Sequence, residues 1–132
     1  VNQAPTPGST GTAKLDVSEG NTALAVGSGS VPMLATPEVV ALVERAAVAA
    51  VDGTLDEGTT TVGSRVELDH LAPTPVGASA EATARLESVD GRRLEFSFEV
   101  TDPAGVVARG RHLRVIVDAA RFTASAKERA GG

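Results

Sequence analysis

Thr36-Pro37-Glu38-Val39-Val40-Ala41-Leu42-Val43-Glu44-Arg45-Ala46-Ala47-Val48-Ala49-Ala50-Val51 decides how this chain reads, because everything after it alternates like strand and nothing before it reads as core. The spacing of its apolar residues predicts one helix. A threonine hydroxyl accepts a bond from an orphan amide of the first turn, so Thr36 is the expected cap, and Pro37 sits where its missing N–H costs nothing. Glu38, Arg45 and Asp52 recur at sevens and make one wet stripe. Glu44 lies off it. Its neighbours one turn away are Val40, Ala41, Ala47 and Val48, and no cation stands at the usual helix-pair spacings. Such a carboxylate either snorkels to the helix edge or is held partly desolvated, the setting in which active-site acids, bases and nucleophiles are made.

Working outward, Asp52-Gly53 and Asp56-Glu57-Gly58 mark turns after the helix. In Val62–His70, Arg65, Glu67 and Asp69 fall on one face and Val66, Leu68 and His70 on the other, so His70 is expected to point inward. Pro73 and Pro75 end that strand. Ala78–Val89 and Arg92–Thr101 are joined by Asp90-Gly91, a hairpin signal, and Asp102-Pro103-Ala104-Gly105 turns the chain into a strand over Val106–Val117. Asp118–Lys127 reads as a short terminal helix. Before the helix, residues 1–12 read as a mobile arm without a core role, Ala13–Val17 as a short first strand, and Ser18–Val26 as a turn with a weak helical piece. Gly27-Ser28-Gly29-Ser30 is a connector, or the hinge of a flap over a pocket at the helix start. It lacks the lysine of a phosphate-binding P-loop. The sum is an α+β domain over residues 13–127, an antiparallel sheet wrapped round one long helix, with a tail at 128–132. One helix leaves sheet edges free, so a homodimer is expected.

Composition sets the bounds. The 132 residues, 42% hydrophobic, make one domain with a real core, and Phe96, Phe98 and Phe122 are its only aromatics, so that core is built from Val, Leu and Ala. A net charge of −5 argues against a general nucleic-acid binder. There is no cysteine, which excludes disulfides and thiolate metal sites, and two histidines alone argue against zinc. No run reaches membrane-spanning length and no signal peptide is visible, so a cytoplasmic protein without a membrane partner is expected.

Thr36, Glu44, His70 and the backbone amide of Gly63 together supply what hydrolysis of an activated acyl group needs: a nucleophile or base, a proton shuttle and an oxyanion donor. Each has an ordinary reading as well, as a cap, an edge glutamate, a structural histidine or a bulge. Thr36-Pro37 and Glu44, Gly63–His70, Pro75-Val76-Gly77, Val89–Leu94 and Gly110–Arg114 also carry a resemblance. From about Val17 to Phe122 the chain is similar to the hotdog-fold thioesterases of the fluoroacetyl-CoA thioesterase family.

That resemblance implies a hotdog fold and hydrolysis of a short acyl-CoA, with CoA thioester as substrate and no cofactor. It places the catalytic set on Thr36, Glu44 and His70, and the acyl-pocket lining on Gly63 and Arg114. Thr36 would orient the carboxylate. The family's best-known member carries phenylalanines in a lid ahead of the threonine, where this chain has Val31, Met33 and Leu34, so Val31 and Met33 are expected to border the substrate. Arg92, Arg93, Arg109 and Arg111 are the local counter-charges available to CoA phosphates. Two other functions fit a hotdog domain: holding acyl-CoA without turnover, and hydration. The hotdog hydratases carry a histidine five residues after an aspartate, a pattern that neither His70 nor His112 fits.

Overall fold

The computed structural model describes residues 4–131. In chain order come strand β1 (Thr10–Asp16), one 3-10 turn (Glu19–Asn21), a short helix α1 (Ala23–Val26), the long helix α2 (Thr36–Ala50), strands β2 (Thr59–His70), β3 (Ser79–Asp90), β4 (Arg93–Asp102) and β5 (Gly105–Asp118), and a terminal helix α3 (Ala119–Arg129). The strands form one antiparallel sheet in the order β1-β3-β4-β5-β2. Helix α2 turns Val39, Leu42, Val43, Ala46, Ala47 and Ala50 onto it, all buried at the 3–4 spacing of an apolar helix face.

The alanines of α2 have a steric reason. The helix packs mainly on β1 and β3. A Cβ on Gly11 would stand 2.3 Å from both the Ala46 carbonyl oxygen and the Ala50 amide nitrogen, so strand backbone touches helix backbone and only glycine fits. Ala80, Ala82 and Ala84 continue this shallow floor, and Leu86, Leu94, Phe96, Phe98 and Val100 fill the deeper core beside it. Each large side chain buried there contributes about 1.5–3 kcal/mol.

One helix cannot cover this sheet. Five strands at about 4.8 Å spacing span roughly 19 Å, against about 10–12 Å for a helix with its side chains. Because α2 sits over β1 and β3, the inner face of β5 and β2 is left partly open, and Val66, Leu68, His70 and Ile116 are only half-buried there. β2 is also an edge strand. The candidate site lies on this uncovered half.

Several boundaries differ from expectation. β1 starts at Thr10, three residues early, and Gly8 N–H bonds the Leu86 carbonyl, so the expected arm over 1–12 ends sooner and its last residues join the sheet. The arm reading gave Gly11 no role because a glycine that touches a helix shows no apolar period. Residues 1–3 and 132 lie outside the described residues. Helix α3 runs to Arg129, into the expected tail, with Asp118 as its cap. The β3–β4 hairpin pairs Asp90 with Arg93, so its loop is Gly91-Arg92, one residue later than expected. Helix α2 is capped at Ala35, with no side-chain bond, and Thr36 is its first helical residue.

Candidate active site

Because Ala35 takes the capping position, the Thr36 hydroxyl is not spent on the helix amides. It lies 2.7 Å from His70 Nδ1. β2 ends at His70, where Pro73 and Pro75 follow, and the alternation of Val66, Leu68 and His70 turns the imidazole to the inner face as expected. His70 Nε2 is buried and has no hydrogen-bond partner among the described residues. The pair opens on a cleft of about 350 Å³ lined by Ser28, Gly29, Val31, Met33 and Leu71, among others. The Gly/Ser connector and the lid residues Val31 and Met33 therefore border Thr36 and His70, although Met33 is tied by backbone bridging to Pro75.

Glu44 belongs to a second group. Two turns further along α2, about 12 Å of rise, its carboxylate meets Arg114 of β5, with Oε2 3.3 Å from Nη1. Of the two readings of Glu44, its exposure fits the glutamate at the helix edge, and the expected lack of a cation is corrected. No cation stands one turn away on its own helix, but the sheet supplies one, and the Glu44 side chain is 41% exposed. Sequence spacing along one element could not show a partner seventy residues away. Thr36, expected to orient this carboxylate, has its hydroxyl at His70 Nδ1.

Gly63 makes room for this ion pair. A Cβ there would stand 2.6 Å from Glu44 Oε2 and 3.4 Å from Arg114 Nη1. The strand registers Gly63 against Arg114 and then slips by one residue at Ser64, a bulge that re-aims the strand so that Val66 opposes His112. Arg114, 6% exposed, gives its Nε–H to Thr61 Oγ1 at 2.8 Å, its Nη2–H to the Thr61 carbonyl at 3.0 Å and an Nη1–H to His112 Nε2 at 3.1 Å. His112 Nδ1 lies 2.8 Å from the Arg65 carbonyl oxygen. Burial pushes the Arg114 guanidinium down from its usual range, opposed by the Glu44 charge and bond. Burial likewise holds His112 below the ordinary histidine range; Arg114 adds to that, while the Arg65 carbonyl and the Glu44 charge oppose it.

Thr61 and His112 escaped the sequence reading. The available signal was alternation: Ala108, Gly110, His112 and Arg114 share one face of β5, so whatever Arg114 lines, His112 lines too. The same alternation puts Arg109 and Arg111 on the outer face, where Arg111 pairs with Glu95, away from Glu44. Arg92 and Arg93 are exposed at the β3–β4 hairpin. Among the described residues no cluster of His, Cys, Asp and Glu could hold a metal, and no helix is long and apolar enough to cross a membrane.

Residues 17–120 match the profile of the FlK family, fluoroacetyl-CoA-specific thioesterases. The chain belongs to this thioesterase family. Its members include a fluoroacetyl-CoA thioesterase of Streptantibioticus cattleyicolor, 32% identical over 97 residues that cover 74% of this chain and 70% of the relative. The fold agrees. A crystal structure of a point mutant of the fluoroacetyl-CoA-specific thioesterase FlK superposes with a TM-score of 0.88 at 27% identity, covering 94% of this chain and 96% of that one. A Thermus thermophilus protein, a thioesterase superfamily member, superposes at 0.87 with 26% identity, over 96% of this chain and 94% of its own. Membership in this hotdog-fold family makes the chain an enzyme of thioester hydrolysis.

Proposed function

We propose that the protein hydrolyses short acyl-CoA thioesters to the free acid and CoA, with Glu44, His70 and Thr36 as its catalytic set. The observation that carries this reading is the Glu44 carboxylate held by Arg114 above Gly63, on the half of the sheet that α2 leaves open. Glu44 delivers the oxygen that attacks the thioester carbonyl, its own or that of a water it deprotonates. The Gly63 amide takes the developing oxyanion, and the carbon–sulfur bond breaks to release CoA thiolate. His70, oriented by Thr36, protonates the thiolate and serves the water that completes hydrolysis. A mutant of FlK has been solved with acetyl-CoA, and this chain shares that fold.

The proposed assembly is a homodimer joined along the free edge of β2, because one chain keeps Thr36–His70 and Glu44–Arg114 apart. Light scattering is expected to give twice the 13.3 kDa chain mass; a monomer mass at micromolar concentration removes this part of the reading. The test of the activity is thiol release from acetyl-, propionyl-, butyryl- and fluoroacetyl-CoA. Release no faster than that of Glu44→Gln on every substrate would leave a domain that holds acyl-CoA without turning it over.

The lid sets the selectivity. Val31 is 52% exposed and Met33 is a flexible, half-buried chain, so this lid over His70 is a yielding wall with which to tell fluorine from hydrogen. The expected ratio of kcat/KM for fluoroacetyl-CoA over acetyl-CoA is therefore below about 10⁴, or roughly 5.5 kcal/mol of differential transition-state stabilisation. A larger ratio would show that discrimination comes from elsewhere.

A further inference from the structure

We propose that His112 is a positioning residue, whose imidazole braces between the Arg65 carbonyl and Arg114 Nη1 and so fixes the guanidinium beside Glu44 and Gly63. The bond directions leave one arrangement. A carbonyl only accepts, so His112 Nδ1 carries the hydrogen toward Arg65. A guanidinium only donates, so Nε2 presents its lone pair to Arg114. A neutral Nδ1–H tautomer satisfies both at once, and a protonated ring would set N–H against N–H. The groups facing this ring are Arg114 on its own strand, Glu44 from α2, the Arg65 backbone from β2 and, from β4, Phe96 with ring centroids 6.2 Å apart. His112 itself is fully buried.

All three guanidinium nitrogens of Arg114 are thereby held. Thr61 takes Nε and Nη2, and His112 shares Nη1 with Glu44. Without His112, Nη1 keeps only a 3.3 Å bond to a half-exposed carboxylate. The face that Arg114 turns to the space beside Gly63 would then wander, and with it any preference for a polar, electron-poor acyl end. This last consequence rests on the proposed thioesterase reading, so the experiment has one arm that does not.

In that arm, ¹⁵N NMR of the substrate-free protein reads the His112 tautomer and the solvent exchange of Arg114 Nε–H. The expected result is an Nδ1–H ring and a slowly exchanging Arg114 signal that becomes fast in His112→Leu. In the second arm, kcat/KM is measured for fluoroacetyl-CoA and propionyl-CoA. His112→Leu should lose about tenfold to a hundredfold on the polar acyl group, the range of one charge-assisted hydrogen bond, and clearly less on propionyl-CoA. His112→Gln, whose amide oxygen can accept from Nη1, should recover most of that loss, and Thr61→Val should reproduce it in part. A His112→Leu protein with lowered thermal stability but an unchanged substrate ratio and an unchanged Arg114 signal would make His112 merely structural and overturn the proposal. So would an Nε2–H tautomer in the wild type, which decides the matter even if His112→Leu does not fold. Absence of thiol release by the wild type would sink the thioesterase reading alone, leaving the first arm to judge His112.

Discussion

The two ends of the polar side of α2 are built on opposite plans. At its start, Thr36 and His70 share one hydrogen bond, His70 Nε2 has no partner among the described residues, and the cover is a Gly/Ser loop carrying an exposed Val31. Two turns on, Arg114 is almost wholly buried and makes four bonds, and Gly63 has no space for a methyl group. A group that exchanges protons with substrate and water needs an open valence and a cover that can move. A group that stabilises charge works best when it is already fixed and needs no reorganisation. The sparse end suits transfer and the saturated end suits holding.

The largest effect is expected where the two plans meet, at Glu44. Glu44→Gln keeps the shape and an acceptor for Arg114 but removes the charge, so it should cut turnover by several powers of ten while the fold survives. Near wild-type turnover would place the chemistry elsewhere. His70→Gln should follow, with a loss of about 10²–10⁴, the usual worth of a positioned proton shuttle. Thr36→Val, which removes only the bond to His70 Nδ1, should cost less than His70→Gln. If it costs as much or more, the hydroxyl touches the reacting atoms itself.

Mixing the two inactive variants sharpens the comparison. If each site takes Glu44 from one chain and His70 from its partner, exchange of subunits between Glu44→Gln and His70→Gln proteins restores hybrids with one intact site. If both groups come from one chain, every site in the hybrid stays defective and activity does not return.

The saturated end was the harder one to read in the sequence. Helix α2, the hairpin after β3 and the inward turn of His70 follow from local period and turn chemistry, which neighbouring residues carry by themselves. The Glu44–Arg114 pair depends on how β5 lies beside β2 beneath the helix, information that no window contains. Glu44 therefore looked lonely when it was only distant in sequence from its partner. Thr36 misled in the other direction: a threonine before Pro-Glu is a good cap by local rules, yet the helix begins one residue earlier and leaves the hydroxyl for His70. Gly63 could be flagged as a bulge or a close approach and proved to be both, but what approaches it became visible only with Glu44 in place.

The smallest expected effect separates the two histidines through pH. His112 is held below the ordinary histidine range, first by burial and then by Arg114. As pH falls below about 6.5, the unfolded chain binds a proton at this residue that the folded chain refuses. Stability from the buried neutral ring is thus fully present above that pH, falls as acid is added, and stops falling below the folded-state value. The slope is at most about 1.4 kcal/mol per pH unit. Other ionisable groups also contribute to the pH dependence of stability, so the wild type alone cannot assign the loss. His112→Gln cancels them, because it retains every other group and has nothing to protonate at that position. Urea unfolding at pH 7 and pH 5 should show the wild type losing more stability than His112→Gln on acidification. Equal losses would mean that the ring accepts its proton in the fold as readily as in the open chain, which the close Arg114 guanidinium should prevent.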